Sequence, residues 1–227
     1  YPKQSYKIKQ GIRYINNHYL RLPKLGYIKY RGHRCNKGKI KSATIKLAPT
    51  GKFYCVLLIE CENQARFDKT NKNVGLDTGV ADLAITSDGK KYPTIHFDKQ
   101  LAKKKIVWER KLARHRSQAK NIIATEKHMK LLNPRTELTD FKNYIKAKQM
   151  VAKYSEKVAN QRKDYLQKIT TSLVREYDMI VIEDLKTTNM LKNHYLAKAI
   201  ANQSWRELRT MLECKRVDLS TMSCTLR

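Results

Sequence analysis

The sequence predicts a mixed α/β domain carrying a long helical hairpin, preceded by a small β-barrel with a lysine-rich exterior. Residues 1–66 hold short alternating apolar runs broken by Pro and Gly, the pattern of half-buried strands. Residues 73–98 contain three further strand-like runs. Two long segments with helical periodicity, 99–132 and 136–177, then lead into the β-branched run MIVI.

In the first region, SATIKLAPTGKFYCVLLIE alternates at Ala43, Ile45 and Leu47, turns at Pro49-Thr50-Gly51-Lys52, and continues as an apolar run from Phe53 to Ile59. Upstream, YLRLPKLGYIKY supplies two short strands interrupted by Pro23 and Gly26. The polar stretch ENQARFDKTNK, residues 62–72, reads as a linker and marks a domain boundary.

The second domain opens with VGLD, ADLAITS and YPTIHFD, and Ser87-Asp88-Gly89-Lys90 makes a hairpin turn between the last two. Consecutive strands of this kind predict an antiparallel start to a mixed sheet. Along 136–177, Phe141, Tyr144, Ile145, Val151, Tyr154, Val158, Tyr165, Leu166, Ile169 and Leu173 recur at three- and four-residue spacing. Asn133-Pro134 turns the chain between the two helices. Met179 to Ile182 reads as a strand buried on both faces, and a last helix is expected over roughly 195–214, with Trp205 in the core.

A formal charge of +28, spread over 227 residues that are 41% hydrophobic, describes a folded protein facing a polyanion. Nucleic acid is the leading partner and an anionic membrane surface the second. Lys103, Lys104, Lys105, Arg110, Lys111, Arg114 and Arg116 on the first helix, with Arg162 and Lys163 on the second, are the predicted phosphate contacts. No run reaches the ~18–20 apolar residues of a membrane span, and YPKQSYKIKQ has no signal-peptide core, so a cytoplasmic setting is expected. The five cysteines form no Cys-x-x-Cys pair, which supports neither a zinc site nor a disulfide framework. The six histidines show no metal-ligand spacing.

Against this basic background, VGLD and MIVIED each end in acid: Asp77 in one, Glu183 and Asp184 in the other. Strand side chains alternate between faces, so only one of Glu183 and Asp184 can share a face with Asp77. Two buried carboxylates in proximity repel, and a hard divalent cation, Mg²⁺ or Mn²⁺, relieves that repulsion. Basic side chains would then hold the phosphate backbone while metal-bound acids act on one phosphodiester. The competing reading makes Asp184 a helix cap and Asp77 a turn former. Asp82 and Asp88 read as turn or edge residues.

Three blocks in this order, VGLDTGVADLAITSDGK, VANQRKDYLQKITTSLVREYDMIVIEDL and MLKNHYLAKAIANQSWRELRTMLECK, resemble the TnpB (OrfB) family of transposon-encoded proteins, over roughly residues 10–215. The resemblance implies an RNase H-like RuvC nuclease domain over 73–215. It implies a wedge-type β-barrel over 1–66 that grips guide RNA and the DNA motif flanking the target. The implied activity is RNA-guided, Mg²⁺-dependent DNA cleavage in the prokaryotic cytoplasm, associated with the nucleoid. Asp77 falls on the family's first catalytic Asp and Glu183 on its catalytic Glu, which leaves Asp184 on the opposite face. The family's third catalytic Asp, its zinc ribbon and its N-terminal helical segment have no counterpart here. RVDLSTMSCTLR, residues 216–227, departs from the family, and its single acid is Asp218. The expectation is therefore a family member truncated at both ends. The alternative is a nuclease-deficient RNA- or DNA-binding remnant, or a degenerate transposase fragment.

Overall fold

The computed structural model describes residues 4–16, 18–32, 38–60, 68–129, 137–183 and 204–217. The chain divides into two compact units: residues 1–64 with 108–153, and residues 65–107 with 154–227.

In the first unit, β1 (Ser5–Ile8), β5 (Lys39–Leu47) and β6 (Phe53–Glu60) form one antiparallel sheet in the order β1-β5-β6. A second antiparallel sheet contains β2 (Arg13–Asn16), β3 (Tyr19–Leu22) and β4 (Gly26–Lys29) in chain order. The expected barrel is not closed among the described residues. Closure requires one continuous hydrogen-bond ladder, whereas these sheets pair only internally. They nevertheless share an apolar cluster: Ile8 and Ala43 from one sheet and Leu20 and Leu22 from the other are all buried. The predicted β5–β6 turn is present, with the Gly51 N–H donating to the Ala48 carbonyl at 2.9 Å and Gly51 at a φ of +79°.

In the second unit, β7 (Asn73–Asp77), β8 (Asp82–Thr86), β9 (Lys91–Pro93) and β10 (Met179–Ile182) form a mixed sheet in the order β10-β7-β8-β9. β7, β8 and β9 pair antiparallel, and β10 lies parallel to β7. The third expected strand is short: it stops at Pro93, and α1 (Phe97–His128) begins soon after. Proline lacks the N–H that would extend the ladder. α2 (Lys142–Glu176) follows a single 3-10 turn, and α3 (Trp205–Val217) ends the described chain. Asn133-Pro134 and the start of the expected last helix lie outside the described residues.

This unit's core is built from both periodicities. Val74 and Leu76 of β7, Ala84 of β8 and Ile180 of β10 meet Leu166, Ile169, Leu173 and Val174 of α2. Trp205, Leu208, Met211 and Leu212 of α3 complete the cluster. Each fully buried leucine contributes about 1.5–3 kcal/mol relative to exposure. Trp205 is 6% exposed and packs in this core, as its apolar neighbours predict.

Candidate functional site

β7 alternates cleanly. Val74 and Leu76 enter the core, which leaves Asn73, Gly75 and Asp77 on the other face. β10 is in parallel register with it, Val181 opposite Gly75 and Ile182 opposite Leu76. Glu183, one residue further, therefore reaches the level of Asp77, with the parity of Val181 and Gly75. Asp77 and Glu183 line one cavity of about 390 Å³, together with Gly75, Leu76, Ile85, Thr86, Ser87, Val181 and Ile182. Asp184 lies outside the described residues.

Both acids are exposed, which corrects the expectation of a buried pair. Water solvates them, so desolvation adds little and mutual repulsion is the cost that remains. In a chain of net charge +28, no Lys or Arg among the described residues lines their cavity. Among the described residues neither acid takes part in a salt bridge. Two uncompensated carboxylates sharing an open cleft form a hard-oxygen donor set that fits a divalent cation. No group of three His, Cys, Asp or Glu side chains able to hold a metal occurs among the described residues.

Several bonds set the walls of this cleft. The Asp178 carboxylate, just before β10, accepts the Thr70 N–H at 3.0 Å and the Asn71 N–H at 2.6 Å. Its own N–H donates to the Lys72 carbonyl at 2.8 Å, so one residue pins the start of β10 to the start of β7. The Thr70 N–H, followed by the Asn71 N–H and the Thr70 hydroxyl, holds the Asp178 carboxyl below its ordinary range. Within the cavity wall, the Gly75 N–H donates to Ser87 Oγ at 3.1 Å and the Ser87 N–H to the Gly75 carbonyl at 2.8 Å.

The β8–β9 turn is tied to the end of α2. The Tyr177 hydroxyl donates to the Asp88 carboxylate, which also accepts from the Thr86 hydroxyl. The Thr86 contact first, then Tyr177, holds Asp88 below its usual range, and the Asp88 bond raises the Tyr177 phenol. Lys90 pairs with Glu176 at 3.1 Å.

The predicted phosphate contacts lie elsewhere, and none of them lines the acidic cavity. Lys103, Lys104, Arg110, Arg114, Arg116 and Lys163 are exposed, while Lys105, Lys111 and Arg162 are half-buried. Lys111 places its ammonium 4.6 Å from the centre of the Trp108 ring. Across α1, ten Lys/Arg face three acids. Cys55 and Cys214 are free and exposed, and the other cysteines lie outside the described residues. Among those residues no helix is long and apolar enough to cross a membrane. Sequence reasoning missed Ser87 and Asp178 as parts of the site. The signal for Asp178 was an acid directly before a β-branched strand, which can cap a neighbouring segment.

The OrfB_IS605 family, described as "Probable transposase", matches residues 56–194. The Escherichia coli (strain K12) protein named "Putative RNA-guided DNA endonuclease InsQ" is 30% identical over 94% of this chain and 51% of its own length. A Streptomyces pristinaespiralis protein named "Putative RNA-guided DNA endonuclease" is 30% identical over 77% of this chain and 38% of its own length. The chain thus spans about half the length of the first of these relatives and less of the second. With its matched segment running through the strands that carry Asp77 and Glu183, the chain belongs to the OrfB_IS605 (TnpB) family.

Proposed function

We propose that this chain carries the metal-dependent phosphodiester-cleaving centre of a transposon-associated, RNA-guided DNA endonuclease. In this reading the mixed sheet is the core of an RNase H-like RuvC domain, and residues 1–66 are its wedge-type neighbour. The observation that carries it is the cavity shared by Asp77 and Glu183, acids with no salt bridge among the described residues, at adjacent ends of parallel strands in a strongly basic chain. The names of the two relatives support the RNA-guided, DNA-directed part.

Asp77 and Glu183 are the residues that would hold Mg²⁺ or Mn²⁺, whose chemistry is activation of water and neutralisation of charge on a phosphoryl oxygen. The Ser87–Gly75 bonds keep the cavity wall in place. Lys103, Lys104, Lys105, Arg110, Lys111, Arg114, Arg116, Arg162 and Lys163 hold the phosphates of guide RNA and target DNA.

Protein purified with its co-purifying RNA is the material for the test. DNA cleavage is expected in Mg²⁺ or Mn²⁺, not in EDTA, and is abolished in Asp77→Ala and Glu183→Ala while binding persists. Unchanged cleavage by Asp77→Ala ends the assignment.

A second reading, a nucleic-acid binder that does not cut, is favoured by one observation: no third acid joins the pair among the described residues. It predicts a steep fall of affinity with salt, about 0.9 log units per phosphate neutralised on duplex DNA, with no cleavage in either cation.

A further inference from the structure

The open face of the mixed sheet presents two neighbouring rows. In the first, Asp77 stands between Glu183, at the end of β10, and Ile85 of β8. In the second, two residues back along β7, Gly75 stands between Val181 and Ser87, whose N–H donates to the Gly75 carbonyl at 2.8 Å. Alternation gives Ser87 the parity of Ile85, and hence the face of Asp77. A Cβ at position 75 would lie 3.7 Å from the Ser87 Cβ and 3.9 Å from its Oγ, which puts the serine side chain on that same face. The φ of Gly75 is not positive, so the backbone does not require a glycine there. Its missing side chain leaves the floor between Ser87 and Val181 open.

Besides the two acids, Thr86 and Ser87 are the cavity-lining residues whose side chains carry oxygen. The Thr86 hydroxyl is buried, donates to the Asp88 carboxylate and accepts the Lys90 N–H at 3.0 Å. Asp88 is itself committed to the Thr86 and Tyr177 hydroxyls. Ser87 is the one that remains, and it is exposed. Its Oγ accepts the Gly75 N–H at 3.1 Å, which occupies one lone pair; the second lone pair and the hydroxyl proton have no partner among the described residues. The turn that carries it is fixed to the end of α2 by Tyr177 on Asp88 and by Lys90 on Glu176, at 3.1 Å. An oxygen held in this way is organised before a ligand arrives.

We infer that Ser87 Oγ is a third protein oxygen of the divalent-cation site at Asp77 and Glu183, joined to the ion through one water. The inference rests on the metal-dependent reading above and adds a residue to it. Spacing decides for a water over a direct bond. Two residues of strand separate Ser87 from the level of the acids, about 6.8 Å of rise. A Mg²⁺–oxygen bond of ~2.1 Å spans little of that, whereas the same bond followed by a hydrogen bond of ~2.8 Å spans ~4.9 Å. Mg²⁺ also gives up its waters reluctantly, so a site with two carboxylates retains several of them. A serine that only capped the Gly75 N–H would stabilise the sheet edge and stand away from the ion.

The test uses the full chain freed of nucleic acid, with Mn²⁺ as the probe, so that its outcome is independent of cleavage. Protein grown with serine deuterated at Cβ is loaded with Mn²⁺, and the electron spin-echo modulation from deuterons close to the ion is recorded. Wild type is expected to show this modulation, and Ser87→Thr, which carries no label at position 87, to lose it. Ser87→Thr keeps the hydroxyl and is expected to hold Mn²⁺ within about twofold of wild type, whereas Ser87→Ala is expected to weaken binding by about tenfold or more. Absence of the modulation in wild type, its persistence in Ser87→Thr, or wild-type Mn²⁺ affinity in Ser87→Ala would each overturn the inference. If Asp77→Asn and Glu183→Gln still weaken Mn²⁺ in that case, the fault lies with Ser87 alone. If no variant alters the affinity, the cation reading of the two acids falls with it.

Discussion

The carboxylate of Asp178 takes the backbone N–H of Thr70 at 3.0 Å on both of its oxygens, across 108 residues of sequence. This contact decides where Glu183 stands. The parallel pair β7–β10 has no hairpin to set its register, and a one-residue slip would turn every side chain of β10 to the opposite face. Asp178 binds the segment before β7 from the residue before β10, and its N–H donates to the Lys72 carbonyl; five residues on from Lys72 and from Asp178 stand Asp77 and Glu183, at one level.

Asp178→Asn is therefore expected to lower the thermal midpoint at pH 7. The folded-state carboxyl lies below its ordinary value of 3.8. Its contribution is complete above that value and is lost as pH falls through the lower, folded one. The difference in midpoint between wild type and Asp178→Asn should be constant near neutrality and shrink below pH ~4. Thermal unfolding followed by circular dichroism at several pH values measures this. An equal difference at pH 7 and well below pH 4 would contradict it.

Metal binding gives a prediction that does not depend on cleavage. Titration of Mn²⁺ by electron paramagnetic resonance should show at least one site in the wild type. Asp77→Asn and Glu183→Gln should each weaken it by about tenfold or more, with little change in stability because both acids are exposed. Asp164→Asn, which only releases Lys168 on α2, should leave binding intact. Equal affinity in all the variants would remove both acids from the metal site.

Lys215 of α3 places its ammonium 2.7 Å from both Thr170 Oγ1 and Thr171 Oγ1 and 3.1 Å from the Gln167 carbonyl, all on α2. Burial first, and nearby Arg175 second, hold its pKa below the ordinary 10.5. The charged form thus carries a penalty in the folded state, and stability gains as pH rises through the folded value. Lys215→Met leaves both threonine hydroxyls donating to the Leu166 and Gln167 carbonyls, at 2.8 and 2.7 Å. The midpoint at pH 7 should be unchanged or higher, whereas Lys215→Ala should lower it by lost packing.

Leu173 of α2 is fully buried within the cluster beneath the mixed sheet. Leu173→Ala should cost about 2–5 kcal/mol, read from urea unfolding, because the cavity collapses only partly. Leu173→Met conserves volume and should cost less than about 1.5 kcal/mol.

Much of this fold was legible before any coordinates. The period-two run of β5, the heptad-like spacing of α2 and the Gly89 turn are local patterns whose physics acts within a few residues. The mixed sheet followed from the same signals. The barrel expected over residues 1–66 is not closed among the described residues: alternation marks a strand but does not say which edges meet, and there β2, β3 and β4 pair with one another. The burial of the acids was also misjudged. Asp77 ends an apolar run, yet it sits on the open face, and a neighbouring hydrophobic residue says nothing about the face opposite.

From its order of residues alone, the chain settled its basic character, its helices and strands, and the two acids at strand ends. Those depend on side-chain chemistry and on backbone preferences that neighbours impose. Only the tertiary structure decided that β10 lies beside β7 and that the register brings Asp77 and Glu183 to one cavity. Each of these joins residues on separate strands, for the two acids more than a hundred residues apart. It depends on which backbone groups pair and which apolar faces bury each other, terms that no window of sequence contains.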